Sequence, residues 1–313
     1  MALGVDGVRV GCWTDTAHHT GTTVVLAPEG ALGAAAVRGG APGSREIAAL
    51  GANGRVTECH AVVLSGGSAF GLAAAEGVVD WCEAHGIGYD RGVAKIPIVA
   101  AAIVFDLREP GAPRPGRDAG LAACEAASDA DPPLGSVGVG AGCTVGKTAG
   151  LEWGSKGGQG WAVARGGGVT VGALVAVNAL GDVLDERGRV LAGSRAPADV
   201  PRFPAVPMPT PTGDNTVIGC LVTDARLTKA EAVRAVDLAH SGIARAISPA
   251  HTSFDGDALF LLCAQRVDAS VDLVADLGAQ AVAAAIRAGV RAATGIPGFP
   301  ADPRATRRGS ATG

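Results

Sequence analysis

Pro211-Thr212-Gly213-Asp214-Asn215-Thr216-Val217-Ile218-Gly219-Cys220-Leu221-Val222 is the stretch on which the reading of the whole chain turns. A polar turn of Gly, Asp and Asn runs straight into a β-branched apolar run, the pattern of a buried strand, so Thr216 falls at the strand's mouth. A nucleophile is well placed there. Breaking the Asn215–Thr216 peptide bond would give Thr216 a free α-amine beside its hydroxyl, and an amine with a reference pKa near about 8 accepts a hydroxyl proton close to neutrality. One residue would then supply nucleophile and base. The same stretch also reads as ordinary strand entry, because Thr favours strands and a turn must precede them.

Composition narrows the classes. The chain of 313 residues is long enough to bury a sizeable core, with 48% apolar and 18% charged residues and a formal net charge of -4. No basic run follows a phosphate backbone, which argues against nucleic acid as a partner. Forty-eight glycines without a collagen period imply tight turns and close backbone approaches. The seven cysteines are scattered and never spaced Cys-x-x-Cys, so free, mostly buried thiols in a reducing, cytoplasmic compartment are expected. The first residues lack a basic start followed by an apolar core, and no uninterrupted apolar run reaches 18 residues, so neither a secretory signal nor a membrane span is expected. Nothing in the sequence calls for a metal or cofactor.

Taken in order, residues 7–28 read as two opening strands with His18 and His19 in the turn between them. Ala61 to Ser65 is a buried strand ending at Gly66-Gly67-Ser68, and a helix with apolar residues at helical spacing follows to about His85. Strand, Gly-Gly-Ser and helix can cradle an anion, or the glycines can serve close helix–strand packing. Residues 96–107 are another buried run, and 108–134 a polar surface excursion. Between Gly135 and Gly160 the spacing approaches both a dinucleotide fingerprint and a P-loop, but Thr-Ala-Gly-Leu-Glu-Trp-Gly after Lys147 does not form the required helix. The remaining reading is a flat backbone surface with Lys147 as an isolated cation able to polarise a carbonyl. Asn178 ends an apolar run, where it can aim an amide N–H at an oxyanion or simply make the turn. Residues 184–212 are polar and Pro-rich, suiting a flexible linker. Beyond the Thr216 strand, Thr228 and Glu231 form a capping box for a helix to about Ile247, ended by Pro249. Asp255-Gly256-Asp257 then opens the strand Ala258 to Cys263; its carboxylates point the same way and can tune each other, or the tripeptide is plain turn sequence. An Ala-rich helix over 271–292 and a disordered tail over 303–313 complete the chain.

The phrases Gly11-Cys-Trp-Thr-Asp, Ser65-Gly-Gly-Ser-Ala-Phe-Gly-Leu72, Val145-Gly-Lys147, Val177-Asn178, Gly213-Asp-Asn-Thr-Val217 and Thr252-Ser-Phe-Asp-Gly-Asp257, in this order, resemble the self-processing P1 (S58, DmpA-type) peptidases. Within that family the motifs are most similar to the nylon-oligomer (6-aminohexanoate-oligomer) endo-hydrolases. The resemblance spans residues 4–295 and implies a single four-layer αββα sandwich of N-terminal-nucleophile type over residues 1–302. It implies self-cleavage between Asn215 and Thr216 into chains 1–215 and 216–313 that stay together, and assembly into tetramers. By the same resemblance Asp255 and Asp257 meet the new N-terminus, while Lys147 and Asn178 line the site, Asn178 as oxyanion or amine partner. The implied substrate is a small amide or peptide. Two features depart from the family pattern. Aminopeptidase members have a Ser nucleophile and a Ser-x-Glu pair where this chain has Thr216 and Asp255-x-Asp257. The nylon-oligomer hydrolases carry a site tyrosine near Phe105, whereas the single tyrosine here is Tyr89. Competing readings are an acyltransferase of the ornithine-acetyltransferase type and a glycine-rich binding protein that is never cut.

Overall fold

The computed structural model describes residues 1–203 and 215–306. Its two main sheets are built from β1 (Arg9–Asp15), β2 (Thr20–Leu26), β3 (Leu32–Val37), β4 (Ser44–Arg45), β5 (Ala61–Ser65), β6 (Val99–Ile103), β7 (Gly158–Gly166), β8 (Val169–Asn178), β9 (Thr216–Arg226) and β10 (Ala258–Asp268). The helices that cover them are α1 (Ala74–Ala84), α2 (Arg117–Glu125), α3 (Lys229–Ala239), α4 (Ser241–Ala246) and α5 (Val271–Arg291).

One sheet runs β1-β2-β5-β6-β4 and the other β7-β8-β9-β10-β3. Both are antiparallel except for one central parallel pair each, β5 with β6 and β9 with β10. Side chains alternate along each strand, and here both faces are covered, which is why these strands read as unbroken apolar runs. In β9, Ile218, Cys220 and Val222 pack between the sheets with Val62, Leu64, Leu174 and Phe260. Val217 and Leu221 face the other way, into the core under α3 and α5. On the far side, Val24, Ala61 and Val63 pack beneath α1 and α2. The layers are therefore helix, sheet, sheet, helix, the αββα sandwich expected. Helix α5 is apolar and long enough, by length and composition, to cross a membrane, yet two-thirds of its apolar window is buried as an outer layer of the sandwich. All seven cysteines are free, and all but the half-buried Cys12 are buried.

Several local expectations need correction. The helix expected from Ser68 is a 3₁₀ turn over Ser68–Ala73 before α1 begins. The helix expected to reach Ile247 breaks at His240 into α3 and α4, where the His240 ring turns inward to the Ala36 carbonyl. The linker expected from residue 184 starts later, because Val190–Ala192 forms a strand whose Leu191 and Ala192 are buried in the core. The tail expected from 303 begins as a helical turn, Pro303–Thr306, with Ala305 buried; residues 307–313 lie outside the described residues, as do 204–214 of the Pro-rich stretch.

Candidate active site

Thr216 is the first residue of β9, the middle strand of its sheet, and by alternation its side chain lies on the same face as Ile218, between the sheets. Its register partner on β8 is Asn178. On the other side β10 runs parallel, bringing the turn before Ala258 alongside, and Asn215 bridges Asp255 there. Asn178, Asn215, Thr216, Asp255 and Asp257 are all at most 4% exposed, and Lys147 is 7% exposed.

The contacts at the Asn215–Thr216 bond are specific. Thr216 Oγ1 donates to the Asn215 carbonyl oxygen, which also accepts from Gly256 N–H at 2.9 Å. That oxygen therefore has two donors on it, one of them the hydroxyl of the very next residue. Asp257 Oδ1 accepts from Val217 N–H at 2.7 Å. Its other oxygen accepts from His251 N–H at 3.2 Å and pairs with His251 Nδ1 at 2.8 Å. Asp255 is held differently: Thr252 N–H and Oγ1 donate to its Oδ2 at 2.8 and 2.6 Å. Burial, and then the adjacent charge of Asp257, push the Asp255 carboxyl above its ordinary range, against the Thr252 bonds. The two carboxylates are thus held by different donors, while the charge of Asp257 tunes the proton affinity of Asp255. Both precede β10, which starts at Ala258.

Asn178 is braced on three sides. Its Oδ1 accepts from Thr144 N–H at 2.8 Å and from Lys147 Nζ at 3.3 Å, and its Nδ2 donates to the Phe105 carbonyl at 3.1 Å. Lys147 Nζ also donates to the Asn178 carbonyl at 3.1 Å. Phe105 enters through its backbone, so this contact does not need a hydroxyl on its ring. Tyr89 lies in a short separate hairpin, Tyr89–Asp90 with Lys95–Ile96. His18 pairs with Asp15 in its turn, at 2.8 Å, and takes no part in the cluster.

Sequence reasoning missed four supports. Asp106 is 3% exposed and fills the Gly-Gly-Ser cradle: Gly67 N–H donates to its Oδ1 at 2.7 Å and Thr20 Oγ1 to its Oδ2 at 2.8 Å. Gly67 adopts φ 84° to point that N–H inward, a conformation that side chains disfavour. The anion the cradle binds is the protein's own carboxylate. Lys156 is fully buried and donates to the carbonyls of Gly140, Cys143 and Gly157, tying down the turn that delivers Thr144 and Lys147. Gly256 and His251 complete the set, and only their neighbourhood to the Asp-Gly-Asp phrase marks them in the sequence. Surface clefts of about 610 and 560 Å³ lie elsewhere, the first lined by Arg9, Trp81 and His85, the second by Glu58, His60 and Lys95. Neither is lined by a residue of the Thr216 cluster, and the stretch leading into Asn215 lies outside the described residues. Among the described residues no group of His, Cys, Asp and Glu is arranged to hold a metal.

The model of peptidase family S58 matches residues 3–302. The chain belongs to that family. An uncharacterized aminopeptidase of Mycobacterium tuberculosis is 41% identical over 288 residues, covering 84% of this chain and 81% of that protein. A 6-aminohexanoate-oligomer endohydrolase of Paenarthrobacter ureafaciens is 33% identical over 276 residues, covering 84% of this chain and 74% of the relative. Among solved structures, the L-aminopeptidase D-Ala-esterase/amidase of Ochrobactrum anthropi, described as a variant of the N-terminal-nucleophile hydrolase fold, superposes with a TM-score of 0.72 at 20% identity. The alignment covers 96% of this chain and 90% of that one. A Burkholderia β-aminopeptidase gives a TM-score of 0.69 at 19% identity over 94% of this chain and 87% of its own. As an S58 member the chain is a hydrolase of amide bonds.

Proposed function

We propose that this S58 hydrolase cuts its own Asn215–Thr216 bond and then uses Thr216 as an N-terminal nucleophile on small amide or peptide substrates. The observation that carries this reading is the Asn215 carbonyl, which accepts from both Thr216 Oγ1 and Gly256 N–H while buried at the head of a central strand. In the cut, Oγ1 adds to the Asn215 carbonyl carbon, and the oxygen that gains charge is already on the Gly256 N–H. Collapse breaks the C–N bond, the Oγ1 proton passing to the leaving nitrogen, which frees the Thr216 amine and leaves an ester on Oγ1; water then releases the Asn215 carboxylate and restores the Thr216 hydroxyl.

In the processed enzyme the amine takes the Oγ1 proton as Thr216 attacks and returns it to the leaving amine; water then releases the acyl group. Gly256 N–H serves the substrate oxygen as it served Asn215, with Lys147 and Asn178 forming the facing wall. Asp257, at Val217 N–H, lies within one residue of the new ammonium and balances its charge. Asn215 makes a single parallel bridge to Asp255, and the acyl part of a substrate takes the place of Asn215 beside it. The names of the relatives suggest aminoacyl amides and linear amide oligomers as candidate substrates. The products 1–215 and 216–313 remain together because β9 is hydrogen-bonded on both sides within its sheet, and we expect the processed units to form tetramers.

Denaturing gels with N-terminal sequencing test this. Two bands are expected, the smaller beginning Thr-Val-Ile-Gly, and Thr216→Ala should leave one uncut, inactive chain. Cleavage or hydrolysis that persists in Thr216→Ala refutes the assignment. Adding an amine acceptor separates hydrolysis from acyl transfer, since a transferase diverts the acyl group away from free acid.

A further inference from the structure

His251 stands just outside the residues given a role above, and three features of its placement are unusual. It is a non-glycine residue with φ 57°, a left-handed conformation that lets its backbone N–H and its ring bind the same Asp257 oxygen. The opposite nitrogen, Nε2, faces the His240 carbonyl at 3.4 Å. Both ring nitrogens therefore face acceptors, a carboxylate and a carbonyl, and an imidazolium, which has two N–H donors, suits both.

We propose that His251 is a positioning residue for the Thr216 centre: it clamps Asp257 by Oδ2, keeps Oδ1 on the Val217 N–H, and as an imidazolium offsets the Asp257 charge felt by the Thr216 amine. The inference rests on the reading of Thr216 as the processed nucleophile. The charged and titratable groups facing His251 are Asp257 from the turn before β10, His240 from the α3–α4 junction and Arg38 beyond β3. Arg38 is paired with Asp237 at 2.8 Å. The His240 ring meets His251 edge-on with centroids 5.2 Å apart, and burial pushes its pKa down to about 4, so it is neutral beside His251. Burial lowers the proton affinity of His251 as well. The bond to Asp257, its charge and the His240 carbonyl more than offset this, so the net shift is upward despite the opposing charge of Arg38.

The consequence lies in the acid limb of activity. The Thr216 amine must lose its proton to act as base, and an Asp257 whose charge is not offset holds that proton more tightly. Replacing His251 by Gln, which keeps a donor for Asp257 but no charge, should move the acid limb of kcat/KM up by about one pH unit, a loss of about tenfold below the limb. The probe is a linear 6-aminohexanoate oligomer or an aminoacyl p-nitroanilide, whichever the wild type cleaves. A limb that stays in place, with activity scaled equally at every pH, overturns the proposal, since a merely structural role would give that result. If His251→Gln does not fold, NMR titration of the His251 ring in the full-length Thr216→Ala chain decides. A pKa above the ordinary 6.5 that falls on adding Asp257→Asn supports the clamp, and one indifferent to Asp257 overturns it. Wild type that stays uncut and inactive overturns the Thr216 reading itself; cut, active wild type with an unmoved limb in the variant overturns only the role of His251.

Discussion

Replacing Lys156 by Met should change stability in a way that depends on pH, with a sign fixed by burial. Lys156 is fully buried, and its Nζ donates to the carbonyls of Gly140, Cys143 and Gly157 at 2.8, 3.0 and 3.1 Å. Burial pulls its pKa from 10.5 down to about 8. Below about pH 8 the lysine is charged whether the chain is folded or not, so folding bears the full cost of burying that charge. Between about 8 and 10.5 the unfolded lysine holds a proton that the folded one has released, so stability rises with pH. The gap corresponds to about 3 kcal/mol at about 1.4 kcal/mol per pH unit. Met does not titrate. At neutral pH the variant loses three bonds from Nζ, but the Gly140 and Cys143 carbonyls keep the Cys143 and Gly157 N–H groups as donors, and the loss is partly offset because no charge is buried. Raising the pH to 10.5 should then widen the wild-type advantage by about 3 kcal/mol more. The comparison belongs in the Thr216→Ala background, expected to remain one chain, by urea unfolding followed through tryptophan fluorescence at several pH values. Other titrations are common to both proteins and cancel. A difference that stays flat from pH 8 to 10.5 refutes the picture of a charged lysine in a carbonyl cage.

Further predictions follow from single contacts. Ala at Gly256 places a Cβ 3.0 Å from Thr216 Oγ1 and 2.8 Å from the Ala41 carbonyl. The added methyl crowds the hydroxyl that donates to the Asn215 carbonyl, so processing on a gel time course should slow at least about tenfold; an unchanged half-life counts against the space left by Gly256 setting the position of that hydroxyl. Thr228→Ala removes the capping box of α3, in which Thr228 N–H donates to Glu231 Oε2 at 2.9 Å and Glu231 N–H to Thr228 Oγ1 at 3.3 Å. It should cost about 1 kcal/mol, seen as a Tm lower by about 2 °C, with processing and activity unchanged. A variant that melts normally but no longer processes would contradict the separation of that cap from the site.

Much of the fold was legible because the sandwich is built from a few strong patterns. The runs at 61–65, 99–103, 217–222 and 258–263 are too apolar to be surface strands, and the capping box at Thr228 fixes a helix start within one residue. What the runs do not carry is the identity of the layer each face meets. Val217 and Ile218 are chemically alike, yet one packs beneath α3 and α5 and the other between the sheets. That division depends on strand order, which no local pattern encodes. The break at His240 was hidden for a similar reason: its cause is the Ala36 carbonyl at the end of β3, two hundred residues earlier in the chain.

The site was legible as a set of residues but not as a circuit. Thr216, Asn178, Lys147, Asp255 and Asp257 converge, as their order along the chain suggests only through resemblance. Their division of labour follows from donor type, and the donors come from elsewhere. Asp255 receives a neutral hydroxyl and an amide from Thr252, whereas Asp257 receives an amide from β9 and the ring of His251. Desolvation and the neighbouring charge of Asp257 favour the protonated form of Asp255. Two identical side chains in one Asp-x-Asp phrase are thereby held by different partners, which that spacing cannot specify. Asp257 is the carboxylate that holds the Val217 N–H, next to the residue at which self-cleavage would create an ammonium.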